Sequence, residues 1–373
     1  LTVFLVIFMS VWTIMHLYVF WRASSVPFLS THLSLGFMVA VAALLWLSFP
    51  VSMFLGRSRL EVPRPVVFLG AAWLGVLFFA VAALLVVDIV TAGGLLLSRP
   101  APALRGWALL GALVLSAIGL VQGLRDPVVR DYEIRVPGLP SERDGLVLVE
   151  ISDMHLGTLI GQSWMARQIE RVNALKPDLV VMDGDLVDGN VARVEPFLPV
   201  LKRLHAPLGV WAVTGNHEFY AGVEKCVRLF EEAGYTVLRD RWAQAAPGLV
   251  LAGVDDLTAR RQFGLDGHPV EKALAGRPAG ATILLSHTPW EAGTAAAAGA
   301  GLMLSGHTHD GQIWPFGYLV RLSYPLLGGR YEVGGMPVIV CRGTGTWGPR
   351  MRLWLPSEIV RIKLRSAPPV RPV

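Results

Sequence analysis

Five short segments of this chain gather side chains that bind divalent metals: Ser152-Asp153-Met154-His155, Gly184-Asp185-Leu186-Val187-Asp188-Gly189, Gly215-Asn216-His217-Glu218, Ser286-His287-Thr288 and Gly306-His307-Thr308-His309-Asp310-Gly311-Gln312. They hold five of the nine histidines; the other four, His16, His32, His205 and His268, read as membrane-segment or surface residues. Imidazole and carboxylate together suit manganese, iron, zinc and similar ions. An Asp-x-His or His-x-His step at a strand end sends both side chains to one face, because a strand repeats every two residues. Adjacent glycines let the backbone turn sharply and keep the approach open. One such step is weak evidence for a metal; five in series predict a metal centre built from several segments. The sequence has no glycine-rich phosphate loop and no nucleophilic Ser or Cys motif, so no covalent intermediate is expected.

The elements that position these segments are legible as short apolar runs, each ending where a polar segment begins. Runs at 146–151, 179–182 and 210–213 alternate with helical patterns at 162–175, 192–204 and 222–234, and further runs follow at 249–254, 281–286, 301–305 and 337–341. Strand–helix alternation predicts βαβ units in a layered α/β domain, a fold class that places its sites at strand ends.

Asp153-x-His155, Gly184-Asp185-x-x-Asp188, Gly215-Asn216-His217-Glu218, His287 and Gly306-His307-x-His309 together resemble the signature of calcineurin-like metallophosphoesterases, over about residues 147–364. The resemblance implies two facing β-sheets flanked by helices. It implies that Asp153, His155 and His309 hold one divalent ion and that Asn216, His287 and His307 hold another. Asp185 would bridge the two, Asp188 would orient a ligand or a water, and His217 would lie beside the scissile phosphate. Manganese is the expected metal, with iron, zinc and magnesium as alternatives. A water shared by two such ions ionises near neutral pH and can attack phosphorus in line, while the cations and His217 offset the charge on the phosphoryl oxygens.

Within that family, serine/threonine protein phosphatases carry Asp-Arg-Gly where this chain has Asp188-Gly189-Asn190, and purple acid phosphatases use a Tyr ligand where Asp188 stands. The run 306–313 and the ending 342–360 are similar to a bacterial membrane-associated branch, some members of which act on UDP-diacylglucosamine. That branch has Gly where this chain has Asp310, an extra carboxylate placed to bind a water or to repel phosphate.

The remainder of the sequence points to a lipid bilayer. Of the 373 residues 53% are hydrophobic, above the usual share for a soluble domain. Four apolar stretches, about 2–21, 34–55, 66–87 and 107–124, each approach the ~20 residues a membrane-crossing helix needs. A transmembrane domain over 1–125 and a catalytic domain over 126–373 are therefore expected. Four recurring stretches with no basic region before the first argue against a cleaved signal peptide. The opening residue Leu1 leaves an upstream start or a non-standard start codon as the two readings. Asp88 reads either as an acid at a helix end or as a functional group inside the membrane.

Arg57, Arg59, Arg64, Arg125 and Arg130 fall on one side of a four-span topology and Arg22, Arg99 and Arg105 on the other. This favours a cytoplasmic catalytic domain, on a bacterial inner membrane. Seven arginines and two acids precede residue 126, whereas the rest balances 26 basic against 26 acidic residues. The catalytic half thus lacks the basic excess that nucleic-acid binding requires. Cys226 and Cys341 have no zinc-finger spacing and read as buried thiols. The tail 367–373 is expected to fray.

The stretch 313–320, with 324–327, is aromatic and apolar and follows two proposed ligands directly. It reads as a packed loop or as a lip that admits acyl chains. The functional expectation is hydrolysis of phosphodiester or pyrophosphate bonds, with a lipid-linked substrate leading. A general phosphodiesterase or phosphatase tethered by its helices is one alternative, and a weakly active membrane sensor or scaffold that retains the metal site is another.

Overall fold

In a hydrocarbon environment a backbone can satisfy its own polar groups only as a helix or a closed barrel, and the first third of the chain is helical. The computed structural model describes residues 2–57, 63–265 and 267–367. The chain divides into two compact units, Leu1–Arg125 with Gly348–Trp354, and Asp126–Trp347 with Leu355–Val373.

The first unit contains α1 (Thr2–Ser24), α2 (Pro27–His32), α3 (Leu35–Arg57), α4 (Arg64–Thr91) and α5 (Ala101–Gly123). Among the described residues four helical segments, Val6–Ser24, Leu35–Leu55, Arg64–Gly94 and Ala101–Gly123, are long and apolar enough to cross a membrane. Indole N–H groups join them: Trp12 donates to the Trp46 carbonyl (3.0 Å), Trp46 to Thr13 Oγ1 (3.0 Å) and Trp73 to His16 Nε2 (2.8 Å). Such internal partners matter because lipid offers none.

Two expected boundaries move, for one reason. α4 runs past Asp88 to Thr91, and α5 begins at Ala101, not at 107. Asp88 accepts from Tyr18 Oη (2.7 Å) and Arg22 Nε (2.7 Å) and pairs with Arg105 (3.3 Å), which also donates to the Gly93 carbonyl. Charges that neutralise one another between helices do not end them as isolated charges in lipid would. Arg59 and Glu61, in the connection before α4, lie outside the described residues.

The segment Gly348–Trp354 belongs to this unit by packing, although it is far away in sequence. The Arg352 amide donates to the Gly119 carbonyl (2.8 Å), and Trp354 N–H to Gln122 Oε1 (2.8 Å). Gly123 of α5 lies so close to the Arg350 and Met351 backbone that a Cβ there would overlap both.

The second unit is a two-sheet sandwich. One sheet has the order β1 (Val128–Pro137), β12 (Glu358–Ala367), β2 (Val147–Ile151), β3 (Leu179–Asp183), β4 (Val210–Val213), β5 (Thr236–Val237). The other runs β10 (Gly329–Val333), β11 (Met336–Val340), β9 (Leu302–Ser305), β8 (Ala281–Leu285), β7 (Leu249–Gly253), β6 (Arg241–Ala246). β2 to β5 are mutually parallel, as are β7, β8, β9 and β11. Parallel strands covered on both faces read as continuous apolar runs, and the two-residue period then sorts their side chains. Leu148, Leu179, Val181, Leu251 and Ile283 face the core between the sheets. Val149, Val180 and Met182 face a second core beneath α6 (Gln162–Ala174), α7 (Leu198–Leu201) and α9 (Val223–Glu232), which follows α8 (Asn216–Ala221). The opposite sheet is covered by α11 (Pro269–Leu274) and α12 (Ala292–Ala297), with α10 (Leu257–Phe263) before them and α13 (Gly317–Val320) after.

The helix expected over 192–204 is instead two 3-10 turns, Val191–Arg193 and Glu195–Phe197, leading into the four-residue α7. Pro196 and Pro199 restrict the preceding residues and remove two N–H donors. At the C-terminus Ala367 ends β12, and 368–373 lie outside the described residues.

Candidate metal centre

Each of the five segments follows the carboxyl end of a parallel strand, β2, β3, β4, β8 or β9, so both sheets feed one site. Three groups of ligand atoms converge within 4.8 Å: Asp153, His155 and His309; His155, Asp185 and His217; and Asp185, His287 and His307. His309 Nε2 is 3.3 Å from Asp153 Oδ1 and 3.0 Å from His155 Nε2; His287 Nε2 is 3.2 Å from Asp185 Oδ2. Asn216 Oδ1 lies 2.9 Å from His307 Nδ1. Asp185 is the carboxylate common to two groups. All nine residues singled out in the sequence are therefore in one cluster except Asp188, which joins it through His217 at 2.9 Å.

The donor chemistry fits cations. His287 Nδ1 donates its proton to the Asp183 carbonyl (2.7 Å), which leaves Nε2 as a lone pair aimed at a carboxylate oxygen. That Nε2 is fully buried and has no hydrogen-bond partner among the described residues. Two lone pairs facing each other in a buried site call for a proton or a metal ion between them.

The backbone is bent to make this possible. Seven of the 12 described non-glycine residues with positive φ are in these loops: Asp153, His155, Asp185, His307, His309, Asp310 and Gln312. Left-handed geometry costs a side-chain-bearing residue roughly 1 kcal/mol or more, and it persists only where the surroundings enforce it. A Cβ on Gly215 would overlap the Asp185 carboxylate, so only glycine lets that loop pass.

A model of the calcineurin-like phosphoesterase family matches residues 146–311. A "Transmembrane protein with metallophosphoesterase domain" from Danio rerio is 39% identical over 272 residues, covering 70% of this chain and 62% of its own length. An uncharacterized metallophosphoesterase of Aquifex aeolicus is 35% identical over 244 residues, covering 64% of this chain and 92% of its own. The chain belongs to the calcineurin-like metallophosphoesterase family. Among solved structures, a 5'-nucleotidase precursor from Thermus thermophilus aligns at 18% identity with a TM-score of 0.38, over 54% of this chain and 49% of that one. So slight a likeness carries no argument about substrate.

In this metallophosphoesterase the charges around the centre are set by burial and by one another. Burial alone would raise the Asp153 and Asp185 carboxyls, but neighbouring histidines hold both well below the usual range. Burial pushes His155 and His307 down to about 3, which keeps them neutral as metal ligands must be. Burial would also lower His217, yet Asp185 and the Asp188 hydrogen bond raise it to about 9. The His217 ring thus carries a proton that His155 and His307 do not. Beneath the site Glu150 and Asp183 have, among the described residues, no hydrogen-bond partners for their buried carboxyl oxygens, and burial drives both well upward, toward the neutral acid.

Glu218 is visible in the sequence as part of a motif but has no task assigned there. Its Oε2 accepts from the amides of Asp185 (2.9 Å) and Gly215 (2.7 Å), and its Oε1 from that of Val187 (2.9 Å). One buried carboxylate therefore ties the loop after β3 to the loop after β4. The signal is its place three residues after Gly215 at the start of a helix, where an acid reaches back to free amides. Glu218→Ala strands three buried N–H groups and is expected to cost about 3 kcal/mol. Thermal unfolding in detergent with metal present reads this; a loss below about 1 kcal/mol would mean that water replaces the carboxylate.

Asp310 does not stand free toward the metals. Arg342 Nε donates to its Oδ2 at 2.8 Å, and the same guanidinium approaches Glu358 (3.7 Å). The carboxylate expected to bind a water or to repel phosphate is thus largely neutralised by an adjacent cation. Three aromatic rings stand close to the centre, Tyr324 from the aromatic stretch and Trp347 from the ending already noted in the sequence, and Tyr220 from α8. Trp347 lies 6.3 Å from His217, Tyr220 5.4 Å from it, and Tyr324 4.8 Å from His307. Cys226 and Cys341 are buried free thiols.

Proposed function

We propose that the protein is a membrane-bound hydrolase of phosphodiester or pyrophosphate bonds that works with two divalent ions. Asp153, His155 and His309 would hold one and Asn216, His287 and His307 the other, with Asp185 shared by the two. Bound there, such ions supply a nucleophilic water near neutral pH and neutralise phosphoryl charge. Manganese is the first metal to try. The observation that carries the reading is the convergence of these seven side chains beside His217, which Asp188 holds at 2.9 Å. Asp188 fixes His217 through Nδ1 and leaves Nε2–H to donate to the phosphoryl group or to the departing oxygen. Low exposure of the ligands keeps competing water from the charged groups, which strengthens every interaction made with the transition state.

A lipid-linked substrate is the preferred specific reading, because the same chain carries four helices of membrane-crossing length. The excess of arginine on one side of those spans supports a catalytic half on the cytoplasmic face of a bacterial inner membrane.

Hydrolysis by purified protein in detergent with Mn²⁺ tests this on a panel: an aryl phosphodiester, an aryl monoester, a phospholipid and UDP-diacylglucosamine. The expected outcome is a preference of at least about tenfold in kcat/KM for a lipid substrate, because binding contacts with the lipid body lower the barrier at phosphorus. Activity on the soluble esters alone would reduce the helices to a tether. Inactivity on every ester with metals bound would leave a sensor or scaffold.

A further inference from the structure

We propose that the segment 313–322 of the catalytic unit is a membrane-inserted lip, seated among the headgroups and upper acyl chains of an anionic bilayer. The inference requires that the protein be membrane-bound; it does not require that its substrate be a lipid. Trp314, Phe316, Tyr318, Leu319 and Leu322 are 44%, 40%, 67%, 57% and 83% exposed, and α13, which carries two of them, buries no residue. Five large apolar side chains in ten residues form a surface that water-soluble domains avoid unless something covers it.

The segment is also built to hold its shape before any partner arrives. Ile313 at its start and Leu327 after it are buried. The Gln312 side chain grips the Trp347 backbone in both directions: Nε2 donates to the carbonyl and Oε1 accepts from the N–H, each at 2.9 Å. A rigid apolar projection on a buried base loses little conformational entropy when it enters a second phase.

Charge selects the occupant. Between Asp310 and Glu332 there is no acid, while Arg321 and Arg330 are exposed. Aromatic rings mixed with arginine and leucine suit the interfacial layer, where the rings sit at headgroup depth and the guanidinium meets lipid phosphate. A bilayer is moreover held at the protein by its own four spans, so this surface meets lipid at high effective concentration. His309 precedes the lip by one short turn and Tyr324 follows it closely, its ring packed on His307 and stacked on Trp290 (5.3 Å, 14°). One stretch of chain thus joins the metal centre to the apolar surface, and a lipid whose phosphoester reached the metals would find its chains already facing the bilayer.

The test is depth-dependent quenching of a fluorophore on full-length protein in phosphatidylcholine–phosphatidylglycerol vesicles. Leu322→Cys supplies the label site, since both native thiols are buried; Glu170→Cys, on an exposed ion pair in α6, is the aqueous control. Doxyl-labelled lipid is expected to quench the label at 322 by about twofold or more and iodide to quench it far less, with the reverse at 170. Quenching at 322 by iodide and not by doxyl lipid would overturn the proposal. Protection from both quenchers would overturn it too, because protein rather than lipid would then cover the segment. A second variant, Leu319→Asp with Leu322→Cys, should lose the doxyl quench while hydrolysis of a soluble aryl phosphodiester stays within about twofold. The optical readout needs no turnover: protein that is quenched by lipid yet hydrolyses nothing sinks the proposed function and leaves the lip intact.

Discussion

Asp185→Ala protein is expected to hydrolyse a soluble aryl phosphodiester about 10⁴-fold more slowly than the parent and to retain less than half of its bound metal. The size of the effect follows from position. Asp185 belongs to two of the three ligand groups, with Oδ2 at 3.2 Å from His287 Nε2 and 3.8 Å from His155 Nε2, while Oδ1 accepts from the His217 amide at 2.9 Å. It is the carboxylate that two of these groups share. Its loss would remove the anion that the two proposed ions would share and also release the turn that carries His217. Metal content measured by plasma emission, beside kcat, separates this from unfolding, and thermal unfolding in detergent provides the check. Asp185→Asn keeps the shape and is expected to be nearly as inactive, because the amide carries no charge. Full metal occupancy with activity within about tenfold of the parent would remove Asp185 from its place between the ions.

His217→Gln should behave differently: normal metal content and KM, with kcat lower by about 10³-fold on an alkyl phosphodiester. The imidazole is held by Asp188 at 2.9 Å and raised to about 9, so at neutral pH it carries a proton to give. Proton donation matters most when the departing oxygen is a strong base. On an aryl ester, whose leaving group needs no proton, the same variant should lose only about tenfold. Asp188→Asn weakens the orientation alone and is expected to cost about 10-fold to 100-fold on the alkyl ester. Equal losses on alkyl and aryl esters would show that His217 stabilises charge without transferring a proton. Loss of metal from His217→Gln would instead make it a ligand, as its proximity to His155 and Asp185 permits.

The proposed ligands are legible because closely spaced Asp and His residues just past an apolar run leave a mark in a single segment, although the reason is not the strand period: Asp153, His155, His307 and His309 lie beyond β2 and β9 in left-handed backbone. Asp153 and His155, or His307 and His309, declare themselves without knowledge of the rest of the chain. Features that depend on distant partners leave no such mark. β1 reads Val-Val-Arg-Asp-Tyr-Glu-Ile-Arg-Val-Pro, whose alternation of Tyr132, Ile134 and Val136 with Glu133 and Arg135 suits a half-buried strand but does not say what it pairs with. Its partner β12 lies some 230 residues away, where Arg361 and Arg365 meet Asp131 and Glu133 across the ladder. Arg105 similarly suggests the end of a helix until Asp88 and Gly93 are seen beside it. Positive φ at five proposed ligands cannot be read from the residues at all, because neither Asp nor His prefers that geometry strongly enough to signal it.

The heptapeptide Gly348–Trp354 bears on how such a chain can be inherited. A membrane anchor that ends at a single junction can be exchanged for any other hydrophobic leader, and a catalytic domain can be moved between genes whole. Here seven residues from beyond the metal-centre segments complete a unit formed by residues 1–125, with the Arg350 and Met351 backbone set against Gly123 and Arg352 bonded to Gly119. Recombination between residues 125 and 126 would separate the two halves of that fit. The helices and the hydrolase half should therefore descend together, and a side chain acquired at position 123 should have to be answered by a change near 350.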